Sequence, residues 1–204
     1  GNRATHKRKE KADIARFEER AGKLESTLEA ERERERAIRK QESPSTLEVY
    51  DAAMKLGPLL WTRRPEHWQF LSLNLGLGQM LSRNVVTISN EDSALPVYLD
   101  RVVATQDKYR HIDDVPVTEN LYFSGALGIA GQHGPAADVA RSVVTQATGL
   151  HSPAELVVAA LVSNAWTPEF EWLKWLPHTG SPHSPIEVAH LANSQATGAA
   201  LLSA

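Results

Sequence analysis

The 204 residues carry 22 Lys+Arg and 25 Asp+Glu, a net charge of −3 that gives no global attraction to nucleic acid or to an acidic membrane surface. There is no cysteine, which excludes disulfides and thiolate zinc sites and suits a reducing cytoplasm. The longest purely apolar run, residues 156–162, is far short of the roughly 20 residues a membrane helix needs, and the charged N-terminus is not that of a secretory signal.

Residues 1–43 stand apart, with 13 Lys+Arg against 10 Asp+Glu, leaving 9 against 15 beyond. Good helix formers dominate, and no proline occurs before Pro44. Ile14, Phe17, Ala21, Leu24, Leu28, Glu31, Glu35 and Ile38 keep the three-four spacing of a heptad seam, interrupted by its two glutamates. The spacing predicts a charged helical stalk, marginal alone and leaning on partners or on copies of itself. The abrupt charged start and apolar finish of the sequence suggest a piece of something longer.

Ser45-Thr46-Leu47-Glu48 has the form of a capping box, opening a second helix that stops at Gly57-Pro58. Residues 44–68 thus form a helix and connector, followed by a globular part over 69–204. There Leu71, Leu73, Leu75 and Leu77 alternate with small polar residues as in a half-buried strand. The lone pair Gly76 and Gly78 suggests a turn. Further strands are expected at 84–89, 115–123, 126–130 and 156–162, and helices at 96–110, 138–150 and from 193 onward. Strand and helix alternating after residue 125 indicate an α/β layer with a largely parallel sheet and an added β element before it.

The apolar stretch 126–130 runs into Gly131, Gln132, His133, Gly134, Pro135, Ala136, Ala137 and Asp138, and then into a helix. Strand, glycine loop and helix together point backbone N–H groups at a phosphate. A working loop reads G-x-x-x-x-G-K-[S/T]. Here Ala136 takes the place of the last glycine, Ala137 that of the lysine and Asp138 that of the hydroxyl. Without the lysine and hydroxyl, nothing neutralises phosphate charge or holds Mg²⁺, and Asp138 would serve instead as a helix N-cap.

The surrounding text carries a resemblance. G-A-L-G-I-A-G at 125–131, H-S-P-A-E-L at 151–156 and W-L-K-W-L-P-H at 172–178 together resemble the FtsK/SpoIIIE-type motor of type VII (ESX) secretion, the EccC family of actinobacteria. L-W-T-R-R-P at 60–65 and F-L-S-L-N-L-G-L-G at 70–78 are similar to the same family's segment after its stalk. The resemblance implies a P-loop NTPase-like (RecA/FtsK-like) parallel sheet preceded by a long α-helical stalk. It implies a degenerate ATPase-like domain between membrane helices and three further ATPase domains. It also implies export of helical-hairpin substrates of the WXG100 type. Implied partners are the downstream ATPase domains of the same chain and EccB-, EccD- and EccE-like membrane components, in an oligomeric complex at the cytoplasmic face of the plasma membrane. ATP and Mg²⁺ belong to the downstream domains; no cofactor, catalytic residue, metal or nucleic acid is expected here.

His178 and His183 have a loop spacing without carboxylate neighbours and are expected to be ordinary surface or loop residues rather than metal ligands. Trp172, Leu173, Trp175 and Leu176 are spaced to pack one helical turn into a core. Two alternatives stand beside a coupling module: an FtsK-type DNA translocase, which the acidic globular part disfavours, and an oligomerising scaffold built on the heptad helix.

Overall fold

The computed structural model describes residues 2–87 and 96–204, and these fall into two compact units. One comprises residues 1–42 and 77–116, the other 43–76 and 117–204. The chain is mixed helix and strand, with a long N-terminal helix.

In the first unit, α1 runs over Asn2–Glu42 and α3 over Pro96–Tyr109. Part of the heptad seam of α1 is occupied within the chain itself, while Ile14, Leu24 and Ile38 stay exposed. Phe17 meets Tyr98 of α3 with ring centroids 4.3 Å apart. Tyr109, buried, donates its hydroxyl to Glu29 and to the Glu25 carbonyl. Of the two glutamates that break the seam, Glu35 is 5% exposed and serves as an anchor. It accepts from Arg39 Nε (2.7 Å), Ser82 Oγ (2.8 Å), Arg83 N (2.9 Å) and Asn84 Nδ2 (3.1 Å). Burial pushes its carboxyl pKa up, but the Arg83 N–H, the Ser82 hydroxyl and Arg39 outweigh that, and the net shift is downward. Arg39 also donates to the Leu81 carbonyl. Arg36 donates to the Asp113 carbonyl and Lys40 to the Asp114 carboxylate, at a residue whose φ is 59°.

The strand expected at 84–89 does not form over 84–87, and 88–89 lie outside the described residues. The backbone donors at its entry are already committed: Arg83 N, just before it, to Glu35 and Asn84 N to Ser82 Oγ. No ladder is available to them.

Strands β1 (Ser72–Leu81) and β2 (His111–Asn120) form a two-stranded sheet, and the division between units falls inside both. Ser82 N donates to Arg110 O at one end and Leu121 N to Leu71 O at the other, so the strands are antiparallel. Gly76 and Gly78 lie within β1 rather than at a turn. Gly76 has a φ of 137°, a value only glycine adopts freely, and gives its N–H to the side chain of Asn74. β2 ends at Asn120 because that side chain caps the next turn, α4 (Leu121–Ser124), accepting from Tyr122 N and Phe123 N. Residues 126–130 form no strand and are largely exposed. The run is mostly alanine and glycine, with little apolar area to reward burial.

In the second unit, α2 (Thr46–Lys55) packs on α5 (His133–Leu150). The capping box at Ser45 and Glu48 is present, and the helix closes on Leu56 in the left-handed conformation just before Gly57. Only Ala160–Leu161 of the expected strand at 156–162 becomes one (β3), with Ala160 half-buried and Leu161 exposed, and it runs parallel to β4 (Leu191–Ala192). Helix α6 (Thr167–Phe170) and two 3₁₀ turns, Glu171–Trp175 and Pro177–Thr179, lead to β4, and α7 (Gln195–Ser203) follows. The described strands therefore make two two-stranded sheets, one antiparallel and one parallel, and not a parallel sheet of P-loop size. No helix among the described residues is long and apolar enough to cross a membrane.

The α2–α5 contact is close enough to require glycine. A Cβ built on Gly149 overlaps Val49 Cγ1, and Val49 is fully buried. Gly149→Ala is expected to lower stability by about 1–3 kcal/mol, despite the better helix propensity of alanine. Thermal unfolding checks this, and adding Val49→Ala should make the pair less costly than the sum of the singles.

Candidate functional site

Helix α5 begins at His133, so six of the eight residues expected to form a phosphate loop are its first turns. Gly131 lies in a bend and Gln132 is the extended residue before the helix, with no side-chain cap bond. Its carbonyl accepts from Ala136 N at 3.0 Å. Gly134 and Pro135 are exposed in the first turn, where the missing N–H of proline costs no helical bond. Ala137, at the lysine position, is fully buried, and Ala136 is 9% exposed. Asp138 is exposed but is not the N-cap expected of it, because the helix starts five residues earlier. Its carboxylate pairs with Arg141, which also pairs with Glu169. His133 Nε2 lies 3.8 Å from Glu169 Oε1, and its ring sits 4.1 Å from that of Trp166. The Arg141 guanidinium is thus held by two carboxylates, and both would repel a phosphate.

The other end of α5 carries a polar network that hydrophobic periodicity alone did not reveal. Gln146 is fully buried. Its Oε1 accepts from Asn74 N (2.8 Å) and its Nε2 donates to Asn74 O (2.6 Å), so the side-chain amide pairs with β1 as a strand backbone would. His151 is equally buried: it accepts from Leu71 N on Nε2 (3.0 Å) and donates Nδ1–H to Ala147 O (2.8 Å). His178, in the W-L-K-W-L-P-H stretch, is 1% exposed and donates Nε2–H to the His151 carbonyl at 2.8 Å, which corrects its expected place on the surface. His183 is exposed. Burial lowers the pKa of both buried imidazoles and keeps them neutral. The described residues contain no group of His, Asp and Glu able to hold a metal.

Of the residues expected to pack a helical turn, Leu173 is 2% exposed but Trp175 is 79% exposed. The segment is 3₁₀, with three residues per turn, so the α-helical spacing does not apply. Trp172 lines an open apolar groove of about 610 Å³ with Tyr50, Met54, Trp61, Gly149 and Leu176.

No family model matches this chain. Curated relatives do. It is 30% identical over 131 residues to the ESX-4 secretion system protein EccC4 of Mycobacterium tuberculosis, covering 63% of this chain and 11% of that protein. It is 25% identical over 191 residues to the ESX secretion system protein EccC of Geobacillus thermodenitrificans, covering 89% of this chain and 13% of that one. Over 159 residues it is 24% identical to the ESX secretion system protein YukB of Bacillus subtilis, covering 76% and 11%. The chain thus spans about a tenth of the length of the curated relatives it matches. Each of these relatives is an ESX secretion system protein, and together they support the resemblance to the EccC family that the sequence motifs carry.

Proposed function

We propose that this chain is the membrane-proximal coupling module of a type VII secretion motor ATPase, needed for protein export but not itself hydrolysing ATP. The observation that carries this reading is Ala137: the position where a phosphate-binding lysine would stand is fully buried inside a helix already under way. In this reading α1 is the stalk that follows the membrane helices, and the EccB-, EccD- and EccE-like components are its partners. The rest of the chain passes nucleotide-driven motion from downstream ATPase domains, where ATP and Mg²⁺ bind and WXG100-type substrates are exported. A RecA/FtsK-like layering of residues 69–204 is part of the proposal and draws its support from family membership. The parent would lie at the cytoplasmic face of the plasma membrane.

Calorimetric titration of the chain with Mg·ATP tests the inert loop. No saturable binding is expected up to about millimolar nucleotide. Micromolar binding abolished by Gly131→Val or Gly134→Val would overturn the reading. A Cβ at either glycine meets nothing within 4 Å, and circular dichroism of each variant verifies that its fold is retained.

A further inference from the structure

The cations of α1 fall into two sets. From Lys23 to Lys40 each one has a carboxylate partner, on the helix or at Asp113 and Asp114. Lys7, Arg8, Lys9 and Lys11 are exposed, and none makes an ion pair among the described residues. Glu10 is the one carboxylate within that stretch of sequence. Arg20, more than two turns on, is the single further cation of the helix without an ion pair among residues with described side chains.

Helical geometry arranges the four as a collar. At about 100° per residue, Lys7 and Lys11 lie about 40° apart, with Arg8 at about 100° and Lys9 at about 200°, all within about 6 Å of axial rise. A helix that tracks a nucleic-acid backbone needs its cations along one side, so that successive phosphates are met in turn. A collar concentrates charge at one level of the axis and suits a plane that the helix approaches with its end.

We propose that Lys7, Arg8, Lys9 and Lys11 dock α1 on the surface of an anionic lipid bilayer, their ammonium and guanidinium groups meeting lipid phosphates. This deepens the membrane-proximal reading above and rests on it.

The test is flotation of the full chain with vesicles of phosphatidylcholine alone and of phosphatidylcholine mixed with anionic phosphatidylglycerol. Binding is expected to the mixed vesicles only and should weaken steeply with salt. Each cation contributes about five-fold, so Lys7→Gln, Arg8→Gln, Lys9→Gln and Lys11→Gln combined should weaken binding by several hundred-fold, with helix content by circular dichroism unchanged. Equal binding to neutral vesicles, no binding to either, or an unchanged variant overturns the proposal. So does tighter binding to a DNA duplex that needs the same four residues. Nucleotide titration reads the other end of the argument: a chain that binds neither vesicles nor Mg·ATP loses the collar and keeps the inert loop.

Discussion

Ala137→Lys, which places at this position the lysine of a working phosphate loop, is expected to destabilise the protein by about 3 kcal/mol or more rather than to create a nucleotide site. The side chain at this position is fully buried and lies beyond the first turn of α5. A lysine there must either lose its hydration or push its long stem out past its neighbours, and both routes disrupt packing. Its ammonium would also enter a segment whose N–H groups are already turning into helix, as the bond from Ala136 N to Gln132 O shows. Thermal unfolding measures the cost, and titration with Mg·ATP measures the lack of gain. A stable variant that binds nucleotide would show that the loop needs only its lysine.

Glu35→Ala is expected to cost about 3–5 kcal/mol, because it strips one buried carboxylate from four donors at once. Arg39 loses its ion-pair partner, and Ser82 Oγ, Arg83 N and Asn84 Nδ2 lose their acceptor. The Arg83 amide is the local reporter: its hydrogen exchange should speed up markedly in the variant. The pH dependence has a fixed sign. The folded carboxyl has a lowered pKa, so its contribution is fully present above the unfolded value near about 4.3 and is lost as pH falls through the folded value. Glu35→Ala should flatten that acid limb of the stability curve.

Local chemistry was the legible part of the sequence. Ser45 and Glu48 named their own cap, and Gly57 marked where α2 ends, because these signals act within a few residues. Helices α3 and α5 followed from side-chain spacing, although α5 began five residues earlier than Asp138 suggested. Short apolar runs misled. Residues 126–130 and 156–162 look alike as candidate strands, but a strand forms only where another backbone offers its groups, and sequence does not say where that is. Ala160 N finds His190 O and Val162 N finds Ala192 O, across about thirty residues, while 126–130 form no strand. The buried polar groups were hidden for a related reason. Gln146, His151 and Glu35 look like ordinary polar residues until the segments they bind are brought to them. That Ala137 and Asp138 are neither a lysine nor a hydroxyl was visible in the sequence, but the helical form of residues 133–138 was not.

The clasp at Glu35 and Arg39 also sets how tension could travel. A helix joined to the rest only through the peptide bond after Glu42 would hand on a pull at one covalent point. α1 has a second outlet, because Glu35 and Arg39 hold Leu81 through Asn84 at the end of β1. β1 is continuous with residues 72–76 of the other compact unit. A pull on α1 therefore reaches the chain at two places far apart in sequence, and cutting the polypeptide at either one leaves the other still connected.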